Sequence, residues 1–154
     1  MDKKYELQLR LYYRQLVHLP EAEYDKVFPL MTQKTLRRGS VIKNEHEVEE
    51  ATRFLCEGFI GLYLIDENLE LQLDQIFCQN DVVREDVSYH SRKKNDSILK
   101  AISDVVFLEL GRDAEIELLE ESFSLNRLYR ELTHRVAAQK TMQFRIRMMG
   151  LNMD

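Results

Sequence analysis

The spacing of hydrophobic and polar positions changes twice along the chain and divides the sequence into a helical, a strand-rich and a second helical part. Residues 3–17 carry apolar side chains three or four positions apart, which is the spacing of a helical face. A second helix is expected from Pro20, because proline suits the first helical position and acidic residues follow in the first turn. Its predicted buried face consists of Tyr24, Val27, Phe28 and Met31.

The middle of the chain is predicted to form short antiparallel strands. Two strands flank a turn at Gly39, and another pair lies within residues 52–65 around Gly58. Residues 69–76 alternate apolar and polar side chains, which is the period of a half-buried strand. Residues 98–110 are predicted to be a further pair of strands around a turn at residues 103–104.

Helical spacing returns in the last third of the sequence. Asp113 is expected to be the N-cap of a helix with Glu115 and Glu117 in its first turn. A longer helix follows from about Ser124, and two glutamines continue its apolar stripe. The stripe comprises Leu125, Leu128, Leu132, Val136, Gln139, Gln143, Ile146 and Met149. The predicted fold class is therefore α+β, with helices before and after a block of antiparallel strands.

Composition and charge narrow the class of protein. Of the 154 residues, 44% are hydrophobic and 32% charged, and the net charge is −5, which favours one folded domain over a disordered chain. Two cysteines cannot form a disulfide framework, and no run of about 18 apolar residues predicts a membrane span. The start of the chain lacks the apolar core of a signal peptide, so a cytoplasmic location is expected. The charge is uneven, since residues 125–154 sum to +4 and residues 1–124 to −9.

Neither a catalytic set nor a metal site is predicted. Ser88, His90 and Asp96 do not form a known nucleophile motif, and no G-x-S-x-G sequence occurs. The histidines lack the His-x-His spacing that a metal site in a strand-rich fold of the cupin type needs. They are His18, His46, His90 and His134. We therefore expect a protein that is not an enzyme and holds neither a metal ion nor a cofactor.

Several short motifs, taken in order, resemble the cyclic-nucleotide-binding domain of Crp/Fnr-type regulators. They lie at residues 19–24, 35–39, 54–63 and 81–85, and at Ala101. The resemblance covers roughly residues 19–148 and implies an antiparallel β-roll, a double-stranded β-helix like the jelly roll of the cupins. It implies one unit in which residues 1–123 form the N-terminal helices and the roll. Residues 124–154 would form a long dimerisation helix of the same unit.

The resemblance also implies which residues would meet a ligand. In that family a glycine, a glutamate and an arginine ten residues later bind the cyclic nucleotide through its phosphate and ribose. Here Arg84 replaces the glycine, Glu85 keeps the glutamate, and Asn95 followed by Asp96 stands in the place of the arginine. Because a neutral amide and a carboxylate would not hold a phosphate, we expect the usual cyclic-nucleotide site to be degraded. These four residues are the candidate ligand pocket.

A different anion site remains an alternative, built from Arg84 together with residues 92–94. The competing interpretation is that Arg92, Lys93 and Lys94 form a solvated loop, which is the usual fate of a short run of charges.

The long helix carries the second functional expectation. In the resembled family this helix forms the seam of a dimer, which implies a homodimer here through Leu125, Leu128, Leu132, Val136, Gln139, Gln143 and Ile146. The family continues into a helix-turn-helix domain, whereas this sequence ends at Asp154, so direct DNA binding by the chain as given is not expected.

The preferred hypothesis is a non-catalytic sensory module with an unidentified small ligand or protein partner. Two alternatives stay open. One is an effector-domain fragment of a DNA-binding transcription factor, and the other is a divergent binder of a cyclic nucleotide or another small anion.

Overall fold

The computed structural model describes the backbone of residues 1–153 and all their side chains except those of residues 147 and 150–153. The order of elements is helices, eight strands interrupted by one short helix, and two more helices. The helices are α1 (Lys3–Arg14), α2 (Glu21–Val27), α3 (Asp86–Ser91), α4 (Arg112–Glu121) and α5 (Phe123–Met153). The strands are β1 (Met31–Leu36), β2 (Val41–Lys43), β3 (Ala51–Glu57), β4 (Ile60–Ile65), β5 (Leu71–Phe77), β6 (Val82–Val83), β7 (Ser97–Ala101) and β8 (Val105–Gly111). No helix in this part of the chain is long and apolar enough to cross a membrane.

The strands form two antiparallel sheets of four, in the orders β1-β8-β3-β6 and β2-β7-β4-β5. The predicted strands are present, but most of the predicted pairs do not pair with each other. β1 and β2, β3 and β4, and β7 and β8 each place one strand in each sheet, so the turns between them are corners of a β-roll. Only β4 and β5 form a hairpin among these consecutive strands. The α+β roll expected from the sequence is confirmed.

Gly58 makes one of these corners possible. Its φ is +88°, a left-handed conformation that side-chain-bearing residues rarely adopt. A Cβ atom at this position would lie 2.2 Å from the carbonyl oxygen of Asp104, in the corner between β7 and β8. The two corners therefore approach so closely that only glycine fits between them.

Two hydrophobic cores lie on opposite sides of the first sheet. Leu55, Val105 and Phe107 point into the roll, while Phe54 and Leu108 point outward to the helices. β3 and β8 are thus buried on both faces, which explains why residues 54–56 and 105–108 are unbroken apolar runs rather than alternating ones. The outer core contains residues of α1, α2, α4 and the first turns of α5, so α5 starts as part of the folded body.

Two helix starts differ slightly from their predicted positions. α2 begins at Glu21, with Pro20 as its N-cap. Asp113 is not the N-cap of α4, because the helix already begins at Arg112 after Gly111. The Arg112 amide donates to the carbonyl of Glu50 at 2.8 Å, so β8 leads directly into the helix without a separate capping residue. Asp113 instead lies in the acidic first turn.

The second helix also ends earlier than its apolar spacing predicts. Residues Phe28–Leu30 form a single 3₁₀ turn, and Met31 is the first residue of β1. Pro29 has no amide hydrogen to donate to a continuing α-helix, which accounts for the break.

Candidate functional site

The candidate ligand segment runs from β6 into α3. Arg84 and Glu85 link the two elements, and both are buried. Glu85 is the N-cap of α3, and its carboxylate accepts a hydrogen bond of 2.6 Å from the Ser88 amide. The helix ends at Arg92, whose φ of +61° turns the chain toward β7. The predicted site residues thus lie on both sides of α3, two before it and two between it and β7.

Glu85 and Asn95, which stand at the family's glutamate and arginine positions, contact each other directly. The Asn95 amide nitrogen donates to a Glu85 carboxylate oxygen at 2.7 Å. On its other side, the Asn95 amide oxygen accepts from the Lys43 ammonium at 2.9 Å, and Lys43 also donates to the Ser97 carbonyl at 3.0 Å. Lys43 is only 2% exposed. Burial lowers the pKa of the Lys43 ammonium, and the charges of Glu85 and Glu49 partly offset that effect.

A buried ion pair between Arg53 and Glu49 lies next to the contacts among Lys43, Asn95 and Glu85. Arg53 donates to the two carboxylate oxygens of Glu49 at 2.9 and 3.0 Å, and to Glu109 at 3.0 Å. Glu49, which is 1% exposed, also accepts from the Glu85 amide at 3.0 Å. Glu49 therefore holds the ligand segment against β3. Glu49, Arg53 and Lys43 were not among the predicted site residues. The one signal for them is Arg53, because a charged residue beside the apolar run of β3 needs a buried partner.

Arg84 connects the ligand segment to α5. Its guanidinium donates to Asp86 at 2.7 Å and to the Thr52 hydroxyl at 3.1 Å, and it stacks over the Tyr89 ring at 4.2 Å. Asp86 also accepts from Lys140 of α5 at 3.1 Å. Burial alone would raise the pKa of Asp86, but Arg84 and Lys140 outweigh it, so the pKa lies below the ordinary value. The position that the family fills with glycine is thus occupied by a paired side chain.

The remaining predicted cations and Asp96 lie outside this cluster. Arg92 donates to the Glu49 carbonyl at 3.0 Å and pairs with Glu50. Lys93, Lys94 and Asp96 are exposed, as the solvated-loop interpretation expected for the two lysines. Of the two residues at the predicted arginine position, Asn95 therefore contacts Glu85, whereas Asp96 points to solvent.

The stripe expected to form a dimer seam packs largely against the chain's own body. Leu125 and Leu128 are buried in the outer core, and Leu132 packs against that core. Gln139 donates to Asp81 at 2.6 Å. The Gln143 side-chain amide bonds to the backbone of Ile76 in β5, accepting from its N–H at 3.2 Å and donating to its carbonyl at 2.8 Å.

The two other members of the stripe remain accessible. Val136 is half-buried, and Ile146 is exposed.

Other candidate chemistry is weak in the described part of the chain. No group of three histidine, cysteine, aspartate or glutamate residues there is arranged to hold a metal ion. Burial raises the pKa of the Cys56 thiol to about 12, which keeps this thiol protonated and unreactive. Cys78 is exposed and free.

Sequence comparison and structural comparison give different results. Neither a protein-family model nor a curated protein matches the sequence. A cyclic nucleotide-binding domain from Methylobacillus flagellatus superposes with a TM-score of 0.72 at 16% identity, over 90% of this chain and 82% of that one. The fold is that of a cyclic nucleotide-binding domain. The predicted resemblance to Crp/Fnr-type regulators is thereby confirmed at the level of the fold.

Two further solved structures show where this domain fold is used. The sensor domain of the transcriptional regulator DNR from Pseudomonas aeruginosa matches with a TM-score of 0.70 at 10% identity, over 92% of each chain. The catabolite activator protein of Thermus thermophilus matches with a TM-score of 0.66 at 15% identity, over 93% of this chain. This chain spans only 62% of the length of that activator.

Proposed function

We propose that the chain is a non-catalytic regulatory domain whose cyclic-nucleotide site is closed by its own side chains. The contact between Asn95 and Glu85, with Lys43 behind it, is the observation that carries the proposal. The structural neighbours support the regulatory part, since they are named as a sensor domain, an activator and a cyclic nucleotide-binding domain. The effector of this domain would then be a different molecule, or a protein.

A cyclic nucleotide would find fewer hydrogen bonds here than in the family's site. A cyclic nucleotide in the family's position would have to separate Glu85 from Asn95, and Asn95 offers the phosphate a neutral donor only. Each bond to a charged partner contributes about 1.5–3 kcal/mol, so the missing guanidinium alone lowers affinity by one to two orders of magnitude. Breaking this part-buried contact adds to that loss, because both groups would lose a partner.

Calorimetry with cyclic AMP and cyclic GMP tests this part of the proposal. We expect no saturable heat for either nucleotide with the full chain, while the Methylobacillus flagellatus domain, measured alongside, serves as the reference protein. A dissociation constant tighter than about 10 μM, equivalent to about −7 kcal/mol, would refute the closed site.

The proposal includes a homodimer through the side of α5 that faces away from the roll. Ala137, Thr141, Phe144 and Met148 are four, three and four residues apart, which is the spacing of a coiled-coil seam. All four are exposed. They lie roughly opposite Gln139 and Gln143, which are held by the roll. A second copy of the chain would cover this apolar stripe with an identical one.

Changing Phe144 to glutamate is therefore expected to give monomers. The wild-type chain should sediment as a dimer, since Phe144 is 60% exposed in the single chain and would be central in the paired seam. Met142→Glu provides the matched control, because Met142 is 64% exposed on a different side of the same helix and should leave the mass unchanged. A monomeric wild type, or equal masses for the two variants, would count against this interface.

A further inference from the structure

Three recesses meet at Tyr129, in the second turn of α5. The first has a volume of about 80 Å³ and lies in the outer core, between α1, α2, α4, α5 and the first sheet. The second, of about 180 Å³, lies between α3 and α4, and the third, of about 240 Å³, lies along α5. Tyr129 lines all three, and the first two also share Glu115 and Leu119. The recesses are therefore neighbours around one side chain, on the opposite side of the first sheet from the interior of the roll.

The first recess is apolar and partly open to solvent. Protein interiors are normally filled to crystal density, so an apolar recess of this size beside a helix–sheet core offers space for the apolar part of a ligand. A cavity of about 150 Å³ holds a benzene molecule, which leaves room here for about three or four carbon atoms. The leucines at its wall are Leu9, Leu19, Leu110, Leu118, Leu119, Leu125, Leu128 and Leu132.

One wall of this cavity carries an unused hydrogen-bond donor. Tyr13 lines the cavity, and its hydroxyl has no hydrogen-bond partner among the residues that the structure describes. Burial raises the pKa of Tyr13, which keeps the hydroxyl protonated. Tyr13 is half-buried, so its hydroxyl is accessible and available to a bound molecule in place of water.

The second recess carries unused positive charge. Arg112 lines it, and no ion pair or side-chain hydrogen bond of Arg112 occurs within residues 1–153. Its guanidinium lies 5.9 Å from the centre of the Tyr89 ring. By contrast, Arg53, Arg84 and Arg92 all pair with carboxylates. A free guanidinium beside an apolar cavity, in a chain of net charge −5, fits an external carboxylate bound by two hydrogen bonds.

The other charged groups of these recesses are basic apart from Glu115, whose carboxylate is already engaged by other side chains. Glu115 is the one carboxylate in the walls, and it accepts from Thr52 at 2.8 Å and from Tyr89, with Arg84 3.6 Å away. His90 lines the second recess and adds positive charge when protonated. Arg130 and His134 line the third recess, so its charged groups are also basic.

From this arrangement we infer a binding site for a small carboxylic acid with a short unbranched apolar tail. The tail lies in the apolar cavity beside Tyr13, and the carboxylate lies at Arg112. Such a ligand contacts α1, α4 and α5 at once, so its binding would hold the base of α5 against the body. The site is separate from Glu85 and Asn95, and it stands or falls independently of the closed cyclic-nucleotide site.

Calorimetry of the full chain with sodium pentanoate tests the inference. We expect saturable binding of one molecule per chain, with a dissociation constant of about 1 mM or tighter. Acetate lacks the tail and 1-pentanol lacks the charge, so each should bind at least about tenfold more weakly. Arg112→Gln should weaken pentanoate at least about tenfold. Arg127→Gln, at an exposed arginine that lines none of the recesses, should leave the affinity within about twofold.

Methyl-resolved NMR of the same titration locates the ligand. The methyl signals of Leu118 and Leu128 should shift during the titration, with the same dissociation constant as calorimetry gives. The methyl signals of Leu99, inside the roll, should not shift. No saturable binding by the wild-type chain, equal affinities for Arg112→Gln and Arg127→Gln, or shifts centred on Leu99 would each overturn the inference. None of these outcomes changes the result expected with cyclic AMP.

Discussion

Replacing Glu49 by alanine is expected to lower the free energy of unfolding by about 3–5 kcal/mol. Glu49 is 1% exposed, and its removal deprives the equally buried Arg53 of two of its three hydrogen bonds to carboxylates. It also leaves the Glu85 amide without an acceptor. A buried cation that has lost its partner destabilises a protein far more than a lost surface pair, because water cannot replace the missing bonds.

Urea denaturation of the wild-type chain and of Glu49→Ala, at the same protein concentration, measures the loss of unfolding free energy. Glu67→Ala is the matched control, because Glu67 is exposed in the turn between β4 and β5 and should change stability by less than about 0.5 kcal/mol. If Glu49→Ala lost no more than the control, the pair with Arg53 would not be holding the ligand segment.

Changing Leu128 to alanine is the second large effect, with an expected loss of about 2–5 kcal/mol. Leu128 is buried at the base of α5 and lines the apolar cavity. Shortening its side chain enlarges the apolar recess that it lines, and the neighbouring side chains can relax only in part. The lost contacts are those that join α5 to the outer core, so the base of the helix should loosen before the roll does.

Thermal or urea unfolding gives the magnitude, and amide hydrogen exchange shows where the loosening occurs. Protection should fall in residues 123–132 and stay close to wild type in β7. Leu7→Ala is the control, since Leu7 is 55% exposed on α1 and both leucine and alanine favour helices. Equal losses for the two variants, or loss of protection that begins in β7, would contradict the assigned packing.

The order of elements could be predicted because helix and strand differ in the period of their buried side chains. The connections between strands could not, since a corner and a hairpin look alike locally. The turns predicted at Gly39 and Gly58 are present. Each of them connects strands of different sheets rather than neighbours in one sheet. That outcome depends on distant pairings such as β1 with β8, which no short window of sequence contains.

The candidate site shows the same division. Glu85 and Asn95 could be placed together from their spacing, because that spacing belongs to a known motif. Lys43 and Glu49 lie 52 and 36 residues away from the partners they hold, Asn95 and the Glu85 amide, so local sequence gives no sign of either contact. A lysine is normally assigned to the surface, and only the fold shows this one inside.

The stripe of α5 was expected to face a second copy of the chain, but the pattern did not fix its partner. Apolar residues with two glutamines among them fit either a second copy or the chain's own roll. The structure places Gln139 and Gln143 on the roll, where their amides bond to Asp81 and to Ile76. The spacing of side chains specifies which side of a helix is covered, whereas the covering surface depends on the whole fold.

The double hydrogen bond between Gln143 and Ile76 has a consequence for how freely α5 could move. β5 is the last strand of its sheet, and strand edges with unpaired backbone groups attract strands of other molecules. The Gln143 amide offers Ile76 one donor and one acceptor, as a residue of a neighbouring strand would. If α5 swung away, the backbone of Ile76 would lose both partners, beside Leu71 and Leu73, which are already exposed. Any signal that releases the helix would therefore also open a strand edge to pairing with another molecule.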